Sequence, residues 1–472
     1  MAQAATSRAF EVHSRPVTRE ALRYGVKQLA LRAGVPPELF REWRFEFGES
    51  GATTVFVRPG SSRRVEFPEM PATVWADVLA GQFRVSSAYW MKPPAAHQQD
   101  AIPALKIPFS SSDRKHVGPL FSQPQPDVVK CAVNLPIATL LTLARFEETL
   151  ASPRDEHGRF RTSSSLAWTE GFHERPVIDE LGLAFEQALR AVLPGWEPDA
   201  RTFRVMLGHD VDEIGFPFNF RSAVAHTLRR KRPTATMRDL LAPALGIDTA
   251  YLKHLREIVE LSLRYNLSST IYWKFSKVGP HDTGYDPLHP KLRRAIRALR
   301  EMGAGVGIHP GYETYKRPER FSYEVTALTS LLETHEVGGR QDFLRWDPSC
   351  WPAWEAEGLA YDASVGFADA IGFRAGTAMP YRPWLFSKNR EARLLEIPMT
   401  AMDSALRGYM RLGATDALER LRRMVERCRA VGGVFHLVWH STTMMDRGYA
   451  RAYRTLLQEL SGSPGVSCDG QF

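Results

Sequence analysis

The stretch Phe203 to Asp212, FRVMLGHDVD, determines the fold that this chain of 472 residues is expected to adopt. Its apolar first half has a β-branched centre and stops at Gly208, which is typical of a short buried strand. Because residues two apart on an extended chain point the same way, Asp210 and Asp212 can converge on one cavity. Paired carboxylates favour a shared proton or a bound cation. Asp is also common in turns, so this stretch alone leaves both a turn and a functional site open.

The chain after residue 201 alternates predicted strands with amphipathic helices. Four apolar runs are predicted strands, at Thr270–Phe275, Val306–Ile308, Leu394–Ile397 and Val434–Trp439. Apolar residues recur at helical spacing in the segments that begin at Leu252, Leu292 and Leu418. This alternation predicts a parallel sheet or barrel whose functional groups lie at the carboxyl ends of the strands.

Two further strand ends carry a histidine. His309 follows a predicted strand in the turn GIHPGYE, and His440 ends the run LVWH. A neutral imidazole at such a position can bind a metal, although a lone histidine beside a turn is more often structural. Three strand ends that offer Asp-x-Asp, His and His within one alternating region predict a common site.

These motifs resemble a known family. HDVD, GIHPGYE and LVWH are similar to the polysaccharide deacetylase superfamily, also called the NodB-homology or carbohydrate esterase family four superfamily, in the branch with HDVD and HPxY signatures. The resemblance implies an α/β fold, a distorted (β/α)7 barrel, over residues 199–472. It also implies a divalent metal, with zinc favoured, that activates water to cleave an N- or O-acetyl group.

The first part of the chain resembles an accessory domain that often precedes such barrels. The resemblance lies in RFEE, DEHGRF and RPVIDE, and the predicted elements indicate a smaller mixed α+β domain over residues 1–198. Pro194 and Pro198 mark the boundary. The sequence leaves the role of this domain open between shaping the cleft, docking a partner and solubilising the barrel.

The resemblance assigns a role to each residue of the predicted site. A metal with an open coordination position lowers the pKa of bound water, so a carboxylate need only accept a proton as attack begins. An arginine can bind that carboxylate through two parallel hydrogen bonds. The implied set is Asp210 as general base, His440 as general acid, Asp212 and His309 as metal ligands, and Arg345 or Arg374 as the arginine on the base.

The chain departs from the family at one metal ligand. The family usually has a second histidine four residues after the first, and this chain has Glu313 at that position. Glu313 could itself bind a hard or borderline cation, or one of His254, His281 and His289 could complete the site. The metal could instead be bound weakly or not at all.

Composition narrows the class of protein and its partners. The formal net charge is +8, and the densest basic cluster, Arg229 to Arg232, has no interleaved aromatic residues, so no nucleic-acid partner is expected. The four cysteines are scattered without a CxxC pair, which indicates free thiols in a reducing compartment. No apolar run is long enough to span a bilayer, and the chain is expected to be soluble and cytoplasmic.

Three functions remain open from the sequence. The first is a hydrolase that uses metal-activated water to remove an acetyl or related acyl group from an amino sugar or glycoconjugate, with a carbohydrate as its substrate. The second is a metal-free or differently metallated amide hydrolase on the same fold, which Glu313 favours. The third is a non-catalytic glycan-binding protein. A serine hydrolase is less favoured, because the chain has no GxSxG elbow.

Overall fold

The computed structural model describes residues 17–91, 104–150, 153–212, 214, 250–276, 281–282, 290–332 and 337–465. The basic cluster at 229–232 and the alternative metal ligand His289 lie outside the described residues. The described part is a mixed α/β protein. None of its helices combines the length and the apolarity that a bilayer-crossing segment needs.

The first part of the chain, up to residue 198, mixes helices with two sheets. Its described helices are α1 (Arg19–Arg32), α2 (Pro37–Arg41), α3 (Ala72–Leu79), α4 (Leu135–Leu143), α5 (Leu166–Thr169) and α6 (Val177–Val192). Its described strands are β1 (Arg44–Phe47), β2 (Thr53–Phe56), β3 (Arg64–Phe67), β4 (Val85–Tyr89), β5 (Leu105–Pro108), β6 (His116–Pro119), β7 (Phe121–Gln125) and β8 (Val128–Cys131). One sheet has the strand order β1-β2-β3-β8-β7 and the other β5-β4-β6, and each contains parallel and antiparallel pairs.

Helix α4 lies at the centre of the core of this first part. All of its residues are buried, and the Asn134 side chain caps its start by accepting a hydrogen bond from the Ile137 N–H at 3.0 Å. Gly25 of α1 lies so close to the Pro136 carbonyl that an added Cβ would collide with it. Helix α1 therefore packs directly on α4, and α6 packs on α1 in turn.

The second part of the chain is built around a parallel sheet. Its described strands are β9 (Arg204–Val211), β10 (Ser269–Trp273), β11 (Gly305–Ile308), β12 (Tyr361–Asp362), β13 (Trp384–Leu385), β14 (Arg390–Glu391), β15 (Leu395–Glu396), β16 (Ala401–Met402) and β17 (Val434–Val438). Its described helices are α7 (Ala250–Arg264), α8 (Pro290–Glu301), α9 (Pro318–Leu332), α10 (Cys350–Ala356), α11 (Ala414–Val431) and α12 (Arg447–Glu459). Strand β9 lies in the middle of the order β11-β10-β9-β17-β16, and every pairing in that order is parallel.

Further parallel pairings continue past β11. Gly339 bridges β11 and β12 through isolated parallel pairings, and β12 pairs with β15. Strands β15 and β16 belong to one segment, residues 395–402. In this segment the Ile397 N–H donates to β12 at 2.8 Å, and the Thr400 N–H donates to β17 at 3.0 Å. One segment therefore pairs with β12 at its start and with β17 at its end.

The structure has the predicted alternation of strands and helices, with one correction at Gly208. The strand predicted to stop there continues to Val211 as β9. Gly208 lies inside the strand rather than at its end. Its missing side chain leaves room for the Arg340 guanidinium, with which an added Cβ would collide. Asp210 consequently lies within the strand, where it pairs in register with Tyr272 of β10.

A buried ion pair and a buried hydrogen bond join the two parts of the chain. Nη2 of Arg374 lies 2.5 Å from Oε2 of Glu148, and neither side chain is more than 2% exposed. Nε of Arg32 lies 2.8 Å from Oδ1 of Asp179, and its Nη2 donates to Thr377 at 2.9 Å. Breaking the pair between Arg374 and Glu148 would leave an uncompensated buried charge, so this contact opposes separation of the two parts.

Candidate active site

A pocket of about 560 Å³ lies where the strand ends of the second part meet. Asp210 and Asp212 reach it from the end of β9, His309 from the residue after β11, and His440 from just beyond β17. Asp342, three residues after the bridging Gly339, also lines it. The structure thus brings together four residues that the sequence singled out and adds a third carboxylate.

His309 lies between two of these carboxylates. Its Nε2 is 3.3 Å from Oδ1 of Asp212 and 3.2 Å from Oδ1 of Asp342. Its Nδ1 is 2.7 Å from the backbone carbonyl oxygen of Arg340, which can only accept, so Nδ1 carries a proton and donates it there. This bond fixes the orientation of the ring and directs Nε2 towards the carboxylates.

These three side chains fit a divalent cation. One ligand atom from each of Asp212, His309 and Asp342 lies within 4.8 Å of the others. Ligand atoms at roughly 2.0–2.1 Å from a tetrahedral zinc ion are about 3.3 Å apart, which is close to the spacing of this imidazole from both carboxylates. Carboxylate and imidazole together also suit other divalent metals, so the donor set fits a cation without singling out zinc.

A buried ammonium group lies beside the same carboxylates. Lys274 follows the last residue of β10 and is 2% exposed. Its Nζ lies 2.9 Å from Oδ2 of Asp342, 3.4 Å from Oδ1 of Asp282 and 3.5 Å from Oδ1 of Asp212. Sequence reasoning missed Lys274, although it follows β10 just as His309 follows β11.

The charges of this cluster hold one another in the ionised state. Loss of solvent opposes ionisation of Asp212, but Lys274 and His309 more than offset it and hold the pKa of Asp212 well below its usual range. Burial would lower the pKa of Lys274, whereas the three surrounding carboxylates raise it well above its usual value. Burial would also lower the pKa of His309, but Asp210 and the two hydrogen-bonded carboxylates raise it to about 10.

Asp210 is held by Arg340. Nη1 of Arg340 lies 2.5 Å from Oδ1 of Asp210, and neither side chain is more than 4% exposed. The guanidinium also donates to the Ala363 carbonyl at 3.2 Å and to Nε2 of His436 at 2.7 Å, and it lies 4.3 Å from the ring centre of Tyr272. These contacts leave the arginine no freedom to turn, so Asp210 is fixed through its Oδ1.

His440 is held on the other side of the pocket by Asp403. Nδ1 of His440 lies 2.6 Å from Oδ1 of Asp403, and its backbone N–H donates to Oδ2 at 2.9 Å. Its Nε2 then lies 4.0 Å from Oδ2 of Asp210 and 3.6 Å from Oδ2 of Asp212. Burial would lower the pKa of His440, but Asp403 and the two pocket carboxylates raise it to about 10. His440 therefore carries a proton at neutral pH and can donate it into the pocket.

The two arginines expected to hold the base bind other groups. Arg345 stacks on Tyr312, with 3.7 Å between its guanidinium carbon and the ring centre. Arg374 binds Glu148 in the first part of the chain, through hydrogen bonds of 2.9 Å and 2.5 Å. The arginine that contacts Asp210 is Arg340, which the sequence motifs did not single out.

Glu313 also lies outside the cluster that fits a cation. The chain forms a short 3-10 turn at 312–314 rather than an α-helix, so residues four apart do not share a face there. Glu313 lies 3.0 Å from Arg317 and is 33% exposed. Among the alternative ligands, His254 lies 3.1 Å from a glutamate of its own helix, and His281 is exposed and stacks on a tyrosine.

The rim of the pocket is built partly by the first part of the chain. Arg159 lines the pocket and is fixed by Asp155, with 2.6 Å between its Nε and Oδ2. It donates to the Phe343 carbonyl at 3.3 Å and to the Tyr409 hydroxyl at 3.0 Å. These aromatic side chains line the pocket and are 37% and 51% exposed. Phe343 and Leu344 have φ angles of 55° and 52°, a strained conformation that persists only where surrounding contacts enforce it.

Sequence comparisons give one partial match. Residues 80–194 match a family of unknown function, DUF7033. No curated protein matches the chain. The matched residues belong to the first part of the chain and include Arg159 at the rim of the pocket.

Comparison with solved structures gives distant likenesses. A "putative polysaccharide deacetylase" from Mycobacterium smegmatis is 16% identical over 58% of this chain and 90% of that chain, with a TM-score of 0.41. Puue allantoinase is 15% identical over 58% of this chain and 89% of that chain, with a TM-score of 0.38. A "probable polysaccharide deacetylase" from Pseudomonas aeruginosa PAO1 is 14% identical over 56% and 87%, with a TM-score of 0.38. Because likenesses this distant do not transfer an activity, we argue function from the geometry of the pocket.

Proposed function

We propose that this protein is a hydrolase that removes an acetyl or related acyl group from an amino sugar or glycoconjugate. One observation carries the proposal: a carboxylate, Asp210, and a protonated imidazole, His440, face each other in one pocket beside a group that fits a cation. Hydrolysis of an amide or ester needs a base for the attacking water and an acid for the leaving group. The carbohydrate substrate is supported by the resemblance of the sequence motifs.

Asp210 and His440 divide the proton transfers between them. Arg340 occupies Oδ1 of Asp210, so Oδ2, on the side of His440, takes a proton from water as the water oxygen attacks the acyl carbon. Nε2 of His440 then gives its proton to the leaving nitrogen or oxygen as the bond to the acyl carbon breaks. The products are a carboxylic acid and a free amine or alcohol. A proton returned from Asp210 to His440 restores both groups.

Asp212, His309 and Asp342 would hold the cation. When bound, a divalent metal supplies polarisation of the acyl carbonyl and a lowered pKa for water. The lowered pKa of Asp212 keeps this carboxylate ionised and ready to act as a ligand across the neutral pH range. The bond from Nδ1 of His309 to a backbone carbonyl keeps Nε2 facing the same point, and Nε2 would release its proton on binding the metal.

We also propose the expected two-domain organisation, with residues 1–198 as an accessory domain that shapes the cleft and residues 199–472 as the catalytic domain. Arg159 supports the role of residues 1–198 in shaping the cleft, because this residue donates hydrogen bonds to Phe343 and Tyr409 at the rim of the pocket. The pairing of segment 395–402 with both β12 and β17 supports closure of the parallel strands into a distorted seven-stranded barrel.

An amide hydrolase that works without a metal is the second candidate. The observation that favours it is Lys274, whose ammonium already compensates the carboxylates of Asp212 and Asp342. Elemental analysis of the purified protein distinguishes the two candidates. A stoichiometric transition metal supports the metal-dependent hydrolase, and activity that survives complete removal of metal supports the metal-free one.

Acetate release tests the proposal. Purified full-length protein is incubated with N- and O-acetylated amino sugars and oligosaccharides, with and without added Zn²⁺, Co²⁺ or Mn²⁺. We expect acetate from the wild type and none above background from Asp210→Asn, while the matched change at the exposed Asp113, Asp113→Asn, leaves the rate unchanged. Absence of acetate from every substrate, or equal rates for wild type and Asp210→Asn, would contradict the proposal.

A further inference from the structure

We propose that Lys274 is a built-in cation of the metal-binding cluster, and that its ammonium weakens the affinity of this cluster for divalent metals. The inference rests on the cation site of the proposed function, but not on the reaction assigned to it. Lys274 thus determines how far the site depends on a bound metal.

The ammonium contacts the same carboxylates that would hold the metal. Asp342 is shared, with Oδ1 at 3.2 Å from Nε2 of His309 and Oδ2 at 2.9 Å from Nζ of Lys274. Asp212 is shared through one atom, since its Oδ1 lies 3.3 Å from His309 and 3.5 Å from Lys274. Each carboxylate that fits a metal therefore already has a positive partner.

The charge of Lys274 favours the metal-free cluster and disfavours the metal-loaded one. Asp282 and Asp342 are each 2% exposed, so without a nearby cation their negative charges and that of Asp212 would repel one another in a poorly solvated site. Lys274 compensates this repulsion in the metal-free protein together with His309, whose Nε2 lies between Asp212 and Asp342. A divalent ion between Asp212 and Asp342 would then lie close to the ammonium, and like charges at that separation repel. The ammonium consequently stabilises the metal-free cluster and opposes loading of the metal.

A lysine that only stabilises the fold would behave differently on substitution. If Lys274 had a purely structural role, replacing it would disorder the carboxylates and leave metal affinity unchanged or weaker. If it competes with the metal, a neutral side chain of similar length leaves surplus negative charge that a divalent ion can compensate. The sign of the change in metal affinity therefore distinguishes the two roles.

Metal titration by calorimetry tests the inference. Full-length protein is stripped with EDTA, dialysed and titrated with ZnCl₂ and, separately, MnCl₂. We expect Lys274→Met to lower the Kd at least tenfold, Lys274→Arg to remain near the wild type, and the exposed Lys253→Met to stay within twofold. Thermal unfolding should also show a larger stabilisation by Zn²⁺ in Lys274→Met than in the wild type. An unchanged or raised Kd for Lys274→Met, or absence of metal binding by every protein, would overturn the inference.

A second variant keeps the test decisive if Lys274→Met does not fold. Asp282→Asn removes a carboxylate that balances the ammonium but is not part of the group that fits the metal. It should raise the Kd at least threefold, opposite in sign to Lys274→Met, and an unchanged or lowered Kd would contradict the inference. Because these readouts do not involve catalysis, the inference and the proposed hydrolysis can fail separately: altered affinity without acetate release contradicts only the hydrolysis.

Discussion

The floor and the rim of the pocket differ in where their residues come from and in how they are held. The floor consists of charged side chains at the ends of parallel strands, such as Asp210 in β9 and His309 after β11, fixed by buried ion pairs and hydrogen bonds. The rim consists of aromatic side chains that are partly exposed, and Arg159 from the first part of the chain connects them. On the proposed function, the floor would carry out the chemistry and the rim would contact the substrate.

Mutations in the floor and in the rim should affect different kinetic constants. Groups of the floor carry charges and protons, so their replacement should lower kcat. On the proposed function, groups of the rim would contact bound substrate without exchanging protons, so their replacement should raise KM and leave kcat largely unchanged. Four variants test this division.

Asp210→Asn should have the largest effect. The amide cannot accept a proton from water, and general-base catalysis typically contributes about 10²–10⁴-fold, so we expect kcat to fall about 10³-fold. Steady-state acetate release measures the change, with Asp113→Asn as the matched control. A decrease in kcat of less than tenfold would show that Asp210 is not the base.

Asp403→Asn should move the alkaline limb of the pH profile. His440 must be protonated to act as the acid, and its pKa is raised to about 10, so wild-type activity should persist to high pH and fall as pH rises through about 10. Loss of the Asp403 charge removes the strongest group that raises this pKa, so the limb should shift to lower pH by at least about one unit. Rates measured between pH 6 and 11 in both proteins give the shift. An unchanged alkaline limb would mean that His440 is not the acid.

Phe343→Ala should raise KM about tenfold and change kcat less than twofold. Its ring faces the pocket in a strained backbone conformation, and removal of the ring takes away contact with substrate without touching a proton donor or acceptor. Phe343→Tyr is the matched control and should keep KM within twofold. If kcat falls while KM is unchanged, the rim takes part in the chemistry and the division fails.

Arg159→Met should have the smallest effect, an increase in KM of about threefold. The substitution removes the hydrogen bonds to the Phe343 carbonyl and the Tyr409 hydroxyl but leaves both rings in place. Lysine lacks the planar fork that reaches several acceptors, so Arg159→Lys should not restore KM. Wild-type kinetics in Arg159→Met would show that the first part of the chain does not shape the cleft.

Much of the floor could be predicted from the sequence, because apolar runs show where the strands end. Asp210, Asp212, His309 and His440 each follow or end an apolar run, and parallel strands place their carboxyl ends together. Lys274 meets the same criterion and could have been found by it. Lysine after a strand is easily taken for a solvated residue, since its burial among carboxylates depends on segments far away in the chain.

The choice among arginines could not be made from the sequence. Arg340 and Asp342 are two residues apart beyond the bridging Gly339, and both reach the site. The left-handed backbone at Phe343 and the residue after it then redirects the chain, so Arg345 leaves the pocket. Non-glycine residues seldom adopt positive φ, and no residue type in this stretch predicts that turn.

The contacts at the rim of the pocket could not be predicted from the sequence either. Arg159 lies in the stretch DEHGRF, which the sequence indicated only as part of an accessory domain. Its contacts with Phe343 and Tyr409 join residues 184 and 250 positions apart. Contacts over such distances depend on how the two parts of the chain pack, and local sequence patterns do not carry that information.

Anomalous diffraction from crystals of the full-length protein soaked in ZnCl₂ would locate the bound cation. We expect one strong peak, within about 2.0–2.6 Å of ligand atoms of Asp212, His309 and Asp342, with Asp210 and His440 facing the same pocket. A strongest peak at another place in the chain, or electron density in which these five side chains do not share a pocket, would contradict it.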